Sequence, residues 1–300
     1  MLHAPLSRAQ SLLAAGGMCA VSLVFLLFIA SPVQAALGMT GLLLTELGLL
    51  ALALGGARLL GEPLRTVFPL ARPRLRPTAG AVVLWLGIYA PVLLVAILMQ
   101  LLLPQHTAEV STSITGLIST VPLWLRFLIV AVSPAICEEA VYRGFILHHL
   151  GVLPPWARVL LCGALFGVFH LDVTRFGSTA LLGVALSWAA VCTGNLFYPA
   201  LIHLCNNSVS VLATVALEMA AEAAPEAVAT GAEAAAAVTP ATLGVYFLLC
   251  APSPWLLWAG TALLQTDAPR RPGRAKRACL CLVLTLALLA AGFALILSQG

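Results

Sequence analysis

Apolar segments of about 20 residues recur along the chain, and they limit the folds open to it more than any other feature. A helix needs roughly 20 apolar residues to cross the hydrocarbon core of a bilayer. Hydrophobic residues make up 61% of the sequence and charged residues only 9%. A soluble globular domain is rarely so poor in charge. The sequence therefore predicts an all-α, polytopic transmembrane bundle whose first partner is the lipid bilayer.

We expect a single integral membrane domain over residues 1–300, with eight or nine spanning helices. Its parts are N-terminal helices (1–121), a core (122–212), an Ala- and Glu-rich loop (213–240) and C-terminal helices (241–300). The individual spans are expected at about 11–30, 37–54, 79–103, 121–150, 158–171, 177–192, 196–219, 243–264 and 278–297. The first run also resembles a signal peptide, but its length favours a retained helix.

The basic residues orient this arrangement. With the N-terminus inside, nine alternating spans place all fifteen basic residues except Arg126 and Arg175 on one side. The positive-inside rule makes that side the cytoplasm of a cell membrane, and the acidic tract around Glu226 then lies outside. No basic patch with interleaved aromatic residues is present in the sequence, so nucleic acid is not an expected partner.

Two carboxylates and a guanidinium interrupt the fourth apolar run. Glu138, Glu139 and Arg143 lie within Val121–Leu150, where an ionisable side chain costs roughly 2.5–3.5 kcal/mol and is a functional candidate by default. Glu139 and Arg143 stand four residues apart on a helix, in the favourable order for an ion pair. Glu138 lies about 100° away around the helix and has no such partner. The spacing thus pairs Glu139 with Arg143 and leaves Glu138 for chemistry.

Two later spans also carry polar residues on one face. Gly163, Gly167 and His170 share a helical face, and glycines four apart let another helix approach closely. His203 and Asn207 are likewise four residues apart. His170 by itself, and the pair His203 and Asn207 by itself, are equally consistent with hydrogen bonding between helices.

Depth in the membrane connects these residues. Counted from the expected cytoplasmic ends, Glu138, His170 and Asn207 each lie about 18 Å along their helices, and His203 lies about 12 Å along. All are near the middle of a bilayer about 30 Å thick, as a buried active site between helices requires. Glu46, in the second span, is expected instead to be a structural polar group that faces the bundle.

In their order and spacing, Glu138-Glu139-x-x-x-Arg143, Phe166-x-x-x-His170 and His203-x-x-x-Asn207 resemble the three motifs of the CPBP intramembrane proteases. This family includes the type II CAAX prenyl endopeptidases and their bacterial relatives, among them bacteriocin-processing and self-immunity (Abi) proteins. The resemblance covers about 122–210. It implies hydrolysis of a peptide bond inside the membrane, at a site open to the cytoplasm. It also implies the site residues: Glu138 as the catalytic carboxylate, completed by His170, His203 and Asn207 and supported by Glu139, Arg143 and Phe166.

Two mechanisms are open for these residues. In the first, His170, His203 and Glu138 hold Zn²⁺, as the common description of the family as metalloproteases suggests. In the second, no metal takes part: Glu138 accepts the proton of water, and Asn207 with an imidazole stabilises the oxyanion. Asn207 is an unusual zinc ligand, so the sequence slightly favours the metal-free mechanism. Pro134 removes the helical hydrogen bond to the carbonyl of Val130, so we expect a kink or water access just before Glu138.

Two other functions remain open at the level of sequence. A catalytically inactive membrane scaffold would keep the fold without the chemistry. A proton-coupled transporter would also place Glu and His at midplane, but it should show a polar path to both faces. The favoured reading is an endopeptidase that acts on a membrane-associated protein or peptide.

Overall fold

The computed structural model describes residues 6–223, 238–265 and 273–298, and all regular structure in these ranges is helical. The helices are α1 (Arg8–Leu37), α2 (Met39–Leu59), α3 (Leu75–Leu102), α4 (Pro104–Ile118), α5 (123–152), α6 (Pro155–Phe169), α7 (Val173–Thr193), α8 (Phe197–Ala223), α9 (Pro240–Leu264) and α10 (Arg274–Leu297). A π-helical turn, Leu26–Ala30, interrupts α1, and a turn at 251–252 interrupts α9. The expected all-α bundle is confirmed.

Seven of these helices are long and apolar enough to cross a membrane: α1, α2, α3, α7, α8, α9 and α10. The interrupted helix α5 and the 15-residue helix α6 run beside them. The structure therefore shows a polytopic bundle, and the count of eight or nine spans stays a prediction.

The connections between helices form two distinct ends of the bundle. At one end, the α2–α3 loop meets the start of α8: the backbone N–H of Arg74 donates to the Tyr198 hydroxyl at 2.9 Å. At the opposite end, the α1–α2 and α6–α7 turns lie near α4. There the amide of Gln34 donates to Thr45 at 2.9 Å, and His106 lies 3.5 Å from Asp172. We call these the arginine-rich end and the α4 end.

The polar segment between the expected spans 79–103 and 121–150 forms a helix, α4. Its first residue is Pro104, which suits the first helical turn because no intrahelical acceptor is available to an N–H there. Most of α4 is exposed, but Ile118 is buried. Leu117 would lie 3.6 Å from a Cβ at Gly38 in the α1–α2 turn. The polar composition of this segment reflects its exposed face.

Two expected segments fall partly outside the described residues. The seventh span was expected to end near 219, whereas α8 continues to Ala223. The rest of the Ala- and Glu-rich tract, 224–237, lies outside the described residues, as do 266–272 of the basic loop before α10.

The small residues of α6 let α7 approach it closely. A Cβ at Gly163 would lie 2.7 Å from the backbone nitrogen of Val184, and one at Gly183 would lie 3.0 Å from Gly163 Cα. These contacts confirm the expected close approach at the glycines of α6. They also fix the position of His170, the residue that follows α6, along the length of α7.

Candidate active site

The motif helix α5 departs from regular α-helical geometry on both sides of its glutamates. Phe127–Val132 and Ala140–Ile146 are π-helical turns, and the α-helical segment between them is Ser133–Glu139. π-Turns of this kind are frequent at functional sites. The first of these turns ends six residues before Glu138, and the kink or water access expected there stays a prediction.

Asn207 compensates for the hydrogen bond that Pro134 removes. The side-chain amide of Asn207 donates to the carbonyl of Val130 at 3.0 Å. The Oδ1 atom of Asn207 accepts from Asn206 at 3.3 Å. One N–H of Asn207 thus holds α8 against the break in α5, and its second N–H is left for a ligand.

Glu139 and Arg143 form the expected ion pair, at 2.8 Å, and both residues are almost fully buried. The guanidinium also donates to the Gly183 carbonyl at 3.0 Å and to the Ser187 hydroxyl at 3.4 Å. It lies over the ring of Phe166, with Cζ 4.4 Å from the centroid. Arg143 therefore joins α5 to α6 and α7, as a buried cation requires when it leaves water.

Glu139 has a second partner that the sequence did not reveal. Its Oε1 lies 2.8 Å from Nδ1 of His203. Glu139 is thus the acceptor for this histidine, although it is 64 residues away in the sequence. The contact turns Nε2 of His203 toward Glu138, at 3.9 Å from Oε2. A carboxylate on one ring nitrogen sets the orientation and the protonated nitrogen of an imidazole. Glu139 thus positions the histidine that faces its neighbour.

His170 is oriented by the backbone of its own helix. Its Nδ1 lies 3.0 Å from the Phe166 carbonyl. Since a carbonyl only accepts, Nδ1 carries the proton, and the neutral ring keeps a lone pair on Nε2. The next residue, Leu171, has φ of 52°, an uncommon value for a residue other than glycine, so the chain turns sharply after His170.

Asp172 does not act as a partner for His170, although it is close in sequence. It caps α7 by accepting from the backbone N–H of Thr174 at 2.8 Å. Burial opposes its ionisation, yet the hydrogen bonds from Thr174 and the nearby positive charge of Arg175 hold the pKa of Asp172 below its usual value.

All four residues expected to be catalytic line one cavity of about 350 Å³. Glu138, His170, His203 and Asn207 come from α5, α6 and α8, and Phe166 lies on the same wall. Among the described residues, Oε2 of Glu138 is buried without a hydrogen-bond partner. A buried polar atom without a partner is rare and marks a place where a water or substrate group fits. Neither Glu139 nor Arg143 is part of the lining.

Two further charged residues line this cavity and were not assigned to the site from the sequence. Glu46 is 3% exposed, and its Oε2 has no hydrogen-bond partner among the described residues. Arg175 lines the same space from α7. The signal was the same for both: an ionisable residue in or beside an apolar span. Glu46 does face the bundle interior, as expected, but on the cavity rather than at a structural contact between helices.

The three residues that the zinc mechanism assigns to a metal ion, His170, His203 and Glu138, share the cavity. Nδ1 of His203 lies against Glu139 and Nδ1 of His170 against a carbonyl, which leaves Nε2 of each ring available. Among the described residues, however, no group of three or more His, Cys, Asp or Glu side chains lies close enough together to hold a metal ion. The choice between the two mechanisms stays a prediction.

One family model matches the chain. It is described as Rce1-like, type II CAAX prenyl endopeptidase, and it matches residues 120–209. The resemblance to the CPBP family is confirmed. The matched segment contains α5, α6, α7 and the first half of α8, and so every residue expected to be catalytic. No curated protein and no solved structure matches the chain.

Proposed function

We propose that this protein is an integral membrane endopeptidase that hydrolyses a peptide bond of a membrane-associated protein or peptide. One observation carries the proposal: an unpaired carboxylate oxygen of Glu138 faces Nε2 of His203 in a cavity inside a bundle of apolar helices. The match to endopeptidases over 120–209 supports the reaction class.

Charge balance assigns the protonation of the site. Glu46, Glu138 and Glu139 lie in or beside the cavity together with Arg143, Arg175 and His203, so three ionised carboxylates are balanced only when His203 is protonated. His203 therefore acts as an imidazolium, which donates to Glu139 through Nδ1 and offers an N–H at Nε2. His170 is neutral and offers a lone pair.

Glu138 is the general base in this mechanism. A water held between Glu138 and the Nε2 lone pair of His170 loses a proton to Glu138 as its oxygen attacks the peptide carbonyl carbon. The resulting oxyanion accepts hydrogen bonds from the Nε2–H of His203 and the second amide N–H of Asn207. Glu138 then passes the proton to the amide nitrogen as the carbon–nitrogen bond breaks. Water is consumed, and an acid and an amine are formed.

The structure also bears on the alternatives. A transporter needs a path to both faces, but Arg143, Glu139 and the fully buried Tyr142 fill the bundle on the arginine-rich side of the cavity. An inactive scaffold gives no reason for Glu138, His170, His203 and Asn207 to meet on one cavity or for the orientation of His203. We place the protein in the cell membrane with substrates anchored in the same bilayer. The access from the cytoplasm that the family resemblance implied stays a prediction.

Comparison of membrane proteomes tests the proposal. Cells that produce Glu138→Gln should accumulate at least one uncut membrane protein, which the purified wild type then cleaves in detergent. Glu109→Gln is the matched control, since Glu109 is an exposed residue of α4. If the two proteomes are identical, and if purified wild type and Glu138→Gln do not differ in the proteins that they cleave, the protein is a scaffold and not a protease.

A further inference from the structure

A second cavity, of about 500 Å³, lies at the arginine-rich end of the bundle. It is formed by the α2–α3 loop, the start of α6, the α7–α8 turn and the end of α9. It shares no lining residue with the catalytic cavity. The proposed hydrolysis does not use this space, so we asked which separate ligand its residues would hold.

The rim of this cavity is basic. Arg72 and Arg74 line it from the α2–α3 loop, and both are exposed. Among the described residues, neither guanidinium has an ion pair or a hydrogen bond, and no Asp or Glu lines the cavity. Glu62 is the one carboxylate in the described part of this end, and it contacts His149 at 3.2 Å. Two arginines without a counter-charge therefore stand at one cavity.

Buried hydrogen bonds fix the loop that carries these arginines. The side-chain amide of Asn195 donates to the Ala71 carbonyl at 3.0 Å, and its Oδ1 accepts from the Ala71 N–H at 3.3 Å. The Tyr198 hydroxyl accepts from the backbone N–H of Arg74 at 2.9 Å, which leaves its own proton available to a ligand. Asn195 and Tyr198 are only 5% and 3% exposed. The site is thus preorganised, and a ligand does not have to order the loop.

Apolar side chains form another part of the lining. Pro77 and Leu264 are buried there, and Trp188 and Val191 are half-buried. The indole N–H of Trp188 donates to the Thr261 hydroxyl at 3.1 Å, which fixes the ring in the wall. Trp residues near the ends of membrane helices typically lie at the level of the lipid headgroups. A basic rim above an apolar wall fits an amphiphile that has an anionic group and a hydrocarbon chain.

The basic lining continues into a smaller cavity of about 200 Å³. The two cavities share Gly194 and Asn195 of the α7–α8 turn. Arg158 lines the smaller cavity, and its Nε is buried without a hydrogen-bond partner among the described residues. Arg143 lines it too, but is paired with Glu139. A headgroup that extends from the larger cavity into the smaller one would therefore meet a third available guanidinium.

We infer that the larger cavity binds an anionic phospholipid, with the phosphate-bearing headgroup at Arg72 and Arg74 and the start of an acyl chain against Trp188 and Leu264. Guanidinium groups bind phosphate through paired charge-assisted hydrogen bonds. The positive-inside rule places this end in the cytoplasm, and basic pockets between membrane helices on that side bind lipid headgroups. A free phosphate ion would use the arginines but not the apolar wall, so we assign a lipid.

Lipid titration of the purified chain in detergent tests the inference without any activity. Native mass spectrometry measures the affinity, and thermal unfolding checks the fold of each variant. Phosphatidylglycerol should bind and raise the Tm, whereas phosphatidylcholine and inorganic phosphate at equal concentration should not. Arg72→Gln and Arg74→Gln should each weaken phosphatidylglycerol binding about fivefold, and together about 25-fold. Arg65→Gln is the matched control, since Arg65 is exposed at the same end and lines neither cavity.

A phosphatidylglycerol with a photoreactive headgroup gives an independent readout on the unaltered chain. Its crosslinks should map to 71–77 and 191–198. Crosslinks spread over the arginine-rich end, or an equal loss of binding in Arg65→Gln, would overturn the inference in favour of diffuse surface charge. Equal stabilisation by inorganic phosphate would overturn it in favour of a simple anion site. None of these results depends on cleavage, so the proposed endopeptidase is tested separately.

Discussion

Glu138 and Glu139 are adjacent in the sequence, yet their side chains lie in opposite kinds of environment. Glu139 is bound by Arg143 and by His203, each at 2.8 Å, within tightly packed protein. Glu138 faces a cavity, whereas Glu139 is not part of its lining; one oxygen of each carboxylate has no hydrogen-bond partner among the described residues. The helix turns about 100° per residue, so neighbours in sequence face different neighbours in space.

The comparison shows how a membrane bundle can hold reactive and structural charges next to each other. The carboxylate of Glu139 is paired with Arg143 and His203, and Arg143 also binds α7. These contacts hold α5, α6, α7 and α8 together. The Glu138 side leaves hydrogen-bonding atoms available to water and substrate. His203 connects the two, because one ring nitrogen contacts Glu139 and the other faces Glu138.

Glu138→Gln should give the largest effect on activity. The amide keeps the shape of the side chain but cannot accept the proton, so cleavage should fall by roughly 10²–10⁴-fold. The folded yield in detergent should match the wild type, because the amide has the shape of the carboxylate and Glu138 meets the buried network only at 3.9 Å, from its Oε2 to Nε2 of His203. Size-exclusion profiles and thermal unfolding check the fold. A variant that fails to fold would contradict the separation between the two glutamates.

Arg143→Ala should act on the fold instead. It leaves the Glu139 carboxylate buried and without its cation, a loss of about 3–5 kcal/mol in the free energy of unfolding. Arg65→Ala, at an exposed position, is the control and should change little. Arg143→Lys should recover part of the loss, since it restores the charge but not the hydrogen bonds to Gly183 and Ser187. Equal stability of Arg143→Ala and the control would mean that the ion pair is dispensable.

Asn207→Ala should affect both sides of the comparison, at a smaller scale. Loss of an oxyanion donor should lower kcat by roughly 10²–10³-fold with little change in KM. Loss of the hydrogen bond to the Val130 carbonyl should lower stability by about 1–3 kcal/mol. Ser210→Ala, on the same helix and cavity wall, should leave kcat unchanged. An Asn207→Ala variant that loses stability but keeps kcat would make Asn207 purely structural.

Chelation should have the smallest effect of all. In the metal-free mechanism the proton of water passes to Glu138 and the oxyanion is stabilised by His203 and Asn207, so exhaustive chelation of the purified protein should leave cleavage unchanged. The metal content is measured alongside. If activity disappears and near-stoichiometric Zn²⁺ restores it in wild type but not in His170→Ala or His203→Ala, the metal-free mechanism is wrong.

Much of the fold and of the site could be predicted because membrane helices obey strong local rules. Long apolar segments must become helices in hydrocarbon, where backbone groups have no water to bind. Ionisable residues in such segments stand out, and their helical spacing predicted the Glu139–Arg143 pair, which the structure contains. The place of Glu46 and Arg175 on the cavity could not be predicted, since Glu46 has no ionisable residue at helical spacing and Arg175 has only Asp172, which caps α7.

The amino-acid sequence alone determined the fold class, the residues expected to react and the Arg-rich surfaces, because each depends on residue type and spacing along one helix. Only the tertiary structure decided which atoms meet. The contact of Glu139 with His203, the bond of Asn207 to the carbonyl freed by Pro134, and the meeting of Glu138, His170, His203 and Asn207 on one cavity all involve separate helices. Such contacts depend on the rotation and height of each helix in the bundle, which its neighbours set by packing.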